Sequence, residues 1–168
     1  MNAAVWLGTA IFFTFGAEPA CFSADMQASL GVPSASYYPG AISGVLMSRY
    51  YHVTLACGVV ALLHFLAEWL YMGRPRRKFS FGLVVALFAL TLIGSNAVQP
   101  ALVRLNHAHY NTKAQLIERE SAGKSFHALG VIGIALNLLT IGGLVVYVSR
   151  VSSPSETLRF VRPVQFHG

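Results

Sequence analysis

The sequence predicts an all-α integral membrane protein, a four-transmembrane-helix bundle with both termini cytoplasmic. Three observations predict it. Hydrophobic residues make up 55% of the 168 and charged residues only 11%, whereas about a quarter of a soluble domain is charged. The 12 Lys and Arg and the 6 Asp and Glu are clustered, which leaves charge-free runs at 1–17, 50–67, 79–103 and 125–149. Each run extends to roughly the 20 apolar residues that a helix needs to cross a bilayer. These runs are continuous, which excludes a β-barrel with its alternating strands. So apolar a chain is also no disordered segment.

The first span is expected at 3–22, past Glu18. No Lys or Arg precedes it, which argues against a signal peptide and for a retained helix. The charge-free stretch 26–48 does not read as a span, because Gly31, Pro33, Pro39, Gly40 and Gly44 interrupt it. The remaining spans are expected at 45–72, 80–103 and 126–150. Residues 151–168, with Pro154 and Pro163, form a short polar tail outside the 1–150 membrane domain.

Orientation follows from the cations. Arg74, Arg76, Arg77 and Lys78 stand together without an acid, and Arg150, Arg159 and Arg162 follow the last span. The positive-inside rule puts both segments in the cytoplasm of a bacterial-type cell. The 104–124 connection then lies outside. This topology accounts for the net charge of +6 and leaves no reason to invoke nucleic acid. Cys21 and Cys57 are expected to be unpaired, and no internal repeat is evident.

Placed by depth, the polar residues collect near the outer face. Glu18 closes the first span, Arg49 and His52 open the second, Asn96 and Gln99 close the third, and His127 opens the fourth. Lipid-exposed ionisable groups are costly and tend to face a bundle interior, so these six form a candidate ligand-binding cluster. Anchoring at the interface is the plainer role for the arginines and tyrosines, and Glu18 could pair with Arg49. His52, His107, His109 and His127 are candidate metal ligands of the Zn or Cu type, and one haem between His52 and His127 is geometrically possible. His64 and Glu68 stand four residues apart on one helix face nearer the inner side. Asn137, in mid-span, is expected to make an interhelical hydrogen bond. Gly8, Gly16, Gly130 and Gly133 are expected to let helices approach closely.

The motifs WLGTAIFFTFGAEP at 6–19, YYPG at 37–40, NAVQP at 96–100 and FHALG at 126–130 give the chain a likeness to a known family. It resembles the four-helix membrane proteins of unknown function that include transmembrane protein 205 and its bacterial relatives. That resemblance implies a four-helix bundle, with Pro19, Asn96, Pro100 and His127 at matching positions, and no reaction. A more distant likeness joins it to small anthrone-oxygenase-like membrane proteins.

The expected function is non-catalytic: an accessory subunit of a larger membrane complex, or a small-solute handling component, with membrane lipids and other subunits or further copies of itself as partners. One alternative is a cofactor protein holding haem, a metal ion or quinone in the outer cluster. Another is a small oxygenase-like enzyme.

Overall fold

The computed structural model describes residues 1–31, 37–72, 78–111 and 115–152, and within them four helices are long and apolar enough to cross a membrane. Helix α1 runs through Asn2–Phe12, a wide turn at Phe13–Ala17, and Glu18–Cys21. A short α2 follows at Ala24–Leu30, capped by Ser23, whose hydroxyl accepts from the Met26 N–H. Helix α3 is Tyr38–Met72. Helix α4 runs through Lys78–Ile93, a wide turn at Gly94–Val98, and Gln99–His109, and α5 is Leu116–Ser152. The basic cluster at 74–77 and the tail from 153 lie outside the described residues, as does the side chain of Lys78.

Four spanning helices are expected and four are present, and three of them run further than expected. Helix α3 begins at Tyr38, not at 45, because Pro39 falls in its first turn, where a missing N–H costs nothing. Gly40 and Gly44 do not break it either. Helix α4 continues to His109 and α5 starts at Leu116, so most of the expected 104–124 connection is helical. Charge marks where a helix leaves lipid, not where it stops.

Helix α1 packs against α3 and α5, and α4 packs against the same two. Trp6, Val84, Leu87 and Leu144 fill the middle of this four-cornered arrangement and are essentially fully buried. Glycines admit the large side chains. A Cβ on Gly58 would meet Phe88 Cδ2 at 2.5 Å and Trp6 Cη2 at 3.4 Å, and one on Gly143 would meet Leu87 Cδ2 at 2.7 Å. Of the glycines expected to serve this role, Gly133 has Val98 at 3.6 Å, whereas Gly8 and Gly130 have nothing within 4 Å. A Cβ on Gly16 would meet only Phe12 of its own helix. At the Arg150 end, Phe65 meets Phe81 and Tyr147, with ring centroids 5.9 and 6.4 Å apart. Cys21 and Cys57 are both free, as expected.

The two wide turns are twins. Each is a π-helical turn closed by a bond spanning five residues: the Glu18 N–H donates to Phe13 O, and the Gln99 N–H donates to Gly94 O. Each is followed by a proline, Pro19 or Pro100, whose ring would clash with the carbonyl four residues back in a regular helix. The extra residue in the turn relieves that clash. Two adjacent tyrosines of α3 address the pair. Tyr50 stacks on Phe13 at 4.3 Å, and the Tyr51 ring fills the space a side chain on Gly94 would take. Helices α1 and α4 thus share a device that no internal repeat had suggested.

The expected bond from Asn137 is made, since the Tyr50 hydroxyl donates to Asn137 Oδ1 at 3.2 Å, joining α3 to α5 across the bundle. Polar bonds between membrane helices are worth about 1 kcal/mol. Tyr50→Phe and Asn137→Ala are therefore each expected to cost about 1 kcal/mol, and the double variant about the same as either alone. Unfolding in mixed detergent micelles would check this, and full additivity would show that the bond contributes nothing.

Candidate functional site

The antiparallel course of the helices brings the end of α1, the start of α3, the end of α4 and the start of α5 to one end of the bundle. Two cavities lie there, on either side of a glycine strip on α3. Gly40 and Gly44, with Val103 of α4, line both. The small residues leave room, although Asn106 already sits where a side chain on Gly40 would go.

The first cavity has a volume of about 410 Å³ and takes walls from all four spans. Glu18 and His127 both line it, as do Thr14 and Ser43. The rest of the wall is apolar, with Phe15, Phe22 and Phe126, and with Val131, Ile134 and Leu138 further along α5. Glu18 is half-buried and sits just past the first wide turn, whose closing N–H it supplies. The turn therefore fixes its position on α1. Among the described residues Glu18 forms no ion pair, either with Arg49 or with His127. Thr14, inside that same turn, is 7% exposed, and its hydroxyl has no hydrogen-bond partner. A threonine in a regular helix commonly bonds the carbonyl a turn back, as Thr91 and Thr140 do here.

The second cavity, about 590 Å³, lies across the strip. Arg49, Gln99 and His107 line it, with Tyr37, Ser48 and Asn106. His107 Nδ1 lies 3.2 Å from the Tyr37 hydroxyl. Gln99 follows the second wide turn as Glu18 follows the first, so the twin turns set one acid and one amide beside separate cavities.

The expected cluster is thus divided. Glu18 and His127 share one cavity, and Arg49 and Gln99 the other. His52 and Asn96 belong to neither. Both are exposed and bonded to their own helices: His52 Nδ1 donates to Ser48 O at 2.6 Å, and Asn96 Nδ2 donates to Leu92 O at 3.0 Å. The reason is angular. Tyr50 and Tyr51 point inward, and the next residue, about 100° further round, points out.

The four histidines proposed as metal ligands are not gathered either. His109 Nδ1 donates to Arg119 O at 2.8 Å, and Arg119 Nε returns a bond to His109 O at 3.1 Å, a reciprocal clasp between α4 and α5. His52 lies on the outer surface, His107 is at Tyr37, and His127 faces the first cavity. Among the described residues no three His, Cys, Asp or Glu side chains converge to hold a metal ion, and no His52–His127 bracket for haem forms. His64 is exposed against Phe65, with ring centroids 6.4 Å apart, and makes no ion pair with the half-buried Glu68.

Reasoning from sequence did not single out Thr14, Ser43 or Asn106. For Thr14 the signal was available: a hydroxyl in an otherwise apolar run, four residues before the acid.

Comparison with known families matches residues 1–111 to a domain of unknown function, DUF4149. That match covers α1 to α4, including both wide turns and the glycine strip. Comparison with curated proteins and with solved structures found no match.

Proposed function

The chain belongs to the DUF4149 family, a domain of unknown function, and from the geometry we propose that it is a non-catalytic membrane protein that holds a small lipophilic solute between its four spans. The observation that carries this reading is the 410 Å³ cavity lined by Glu18 and His127. Small-molecule sites are concave, of roughly 300–1,000 Å³, mostly apolar, and carry a few converging polar groups. The cavity fits each of these terms. Its walls come from all four spans, so the site exists only when the bundle is assembled.

Further parts of the proposal rest on sequence. The Arg74–Lys78 cluster supports a cytoplasmic position for both termini in a bacterial cytoplasmic membrane, which puts the cavity toward the outer face. The motifs that resemble the transmembrane protein 205 family support kinship with it. Association with other subunits or further copies is supported by long exposed apolar faces such as Phe12, Leu63 and Leu139, which lipid also suits.

Gly130 gives a direct test. It lines the cavity, and a Cβ there would meet nothing within 4 Å. Gly130→Phe should therefore fill the space without displacing a neighbouring helix. Protein purified gently from membranes is expected to carry a small molecule detectable by mass spectrometry of its organic extract. The variant should lose it while keeping the wild-type melting temperature to within about 4 °C, the shift that 1 kcal/mol produces at this size. Identical extracts from the two proteins would sink the reading.

A further inference from the structure

We propose that the solute of the first cavity is a lipophilic amine, bound as its ammonium ion against the Glu18 carboxylate. The proposal rests on the binding function proposed above and adds the chemical class of what is bound.

The argument starts from what Glu18 lacks. An ionised carboxylate accepts hydrogen bonds and offers none, and removing it from water is costly unless a cation or donors meet it. Among the described residues no Lys, Arg or His lies within ion-pair distance of it. Arg49, the cation nearest in sequence at this end, lines the other cavity. His127 lines the same cavity as Glu18 without pairing to it. The wall therefore carries an acid for which the described residues supply no cation.

The second observation is independent of the acid. Thr14 lines the same cavity, and its hydroxyl is buried without a hydrogen-bond partner. An ammonium group has three donors, and the residues lining this cavity include the Glu18 carboxylate and the Thr14 hydroxyl as acceptors, with the His127 imidazole in the same lining. Phe15 and Phe22 stand beside the acid, and the faces of aromatic rings also attract a cation. The far wall of Val131, Ile134 and Leu138 suits an alkyl or aryl body.

The same inventory disfavours the other ligands. A quinone carries only acceptors on its ring and would leave Glu18 unmet. A fatty acid would set two carboxylates side by side. A bare metal ion finds no converging ligand set.

The test uses the full-length protein in phosphatidylcholine nanodiscs, titrated calorimetrically with decylamine, decanol and decanoate. Empty discs and Gly130→Phe provide the background. Decylamine is expected to bind the wild type at least about tenfold more tightly than decanol, a difference of about 1.4 kcal/mol, with decanoate weakest. Glu18→Gln keeps the side-chain shape and removes the charge. It should erase the preference for the amine and leave decanol binding within about twofold.

Equal binding of amine and alcohol by the wild type would overturn the amine assignment while leaving the cavity as a binding site. Binding no greater than to Gly130→Phe for every probe would overturn both. The wild-type comparison decides even if Glu18→Gln fails to fold.

Discussion

Gly94→Leu is expected to be among the most damaging single substitutions in this chain. Any side chain at that position enters the space of the Tyr51 ring. That ring is 4% exposed and lies against Tyr50, with centroids 5.1 Å apart, so it has nowhere to turn. Overpacking of a filled interior costs typically about 1–3 kcal/mol and sometimes more. The upper part of that range is expected here, because shifting Tyr51 also disturbs Tyr50 and its bond to Asn137. The measurement is the detergent composition at which half the protein unfolds. Gly8→Leu serves as the control, since nothing lies within 4 Å of a Cβ there, and it should change stability by less than about 0.5 kcal/mol. Equal effects from the two would show that the seat of Tyr51 is not filled as described.

Trp6→Ala is the second. Trp6 is fully buried, and its ring lies against Gly58 of α3. In soluble proteins such a truncation costs about 3–5 kcal/mol, part from transfer out of water and part from the cavity left behind. In lipid the transfer part is largely lost, because acyl chains are as apolar as the interior. The cavity part remains, so a loss near 3 kcal/mol is expected, at the low end of the soluble range. Trp6→Phe separates size from polarity. The indole N–H has no partner, so Phe loses some volume but also removes an unpaired donor, and a cost of about 1 kcal/mol or less is expected. Equal losses for Phe and Ala would mean that the N–H bonds to something after all.

How far the sequence could be read follows from what kind of signal each feature leaves. The number of spans is legible because lipid admits so few charges. The extra turns of α3 were hidden because Pro39, Gly40 and Gly44 read as breakers. In this chain the proline opens a helix and the glycines border cavities. The wide turns at Phe13 and Gly94 have no marker beyond the proline that follows each. That residue reads equally well as the end of a helix.

The site was half legible for a related reason. Charge clustering tells how deep a residue sits, which is enough to put Glu18, His127, Arg49 and Gln99 at one end. It does not tell which way each faces. His52 and Asn96 sit at the right depth and on the outside, and only the seats of Tyr50, Tyr51 and Val98 fix that rotation.

The length of α5 carries a consequence for the whole molecule. At 37 residues it measures about 55 Å. Even leaning at 40°, the upper limit for spanning helices, it would use only about 39 Å to traverse a hydrocarbon layer of ~30 Å. At least ten or so residues must therefore stand clear as a rigid mast, and Glu118, Arg119, Glu120 and Lys124 mark its foot. With His109 lashed to Arg119, α4 is braced to the same mast. A bilayer a few Å thicker would still leave part of the mast clear, so the charged foot stays in water across the usual range of membrane thickness.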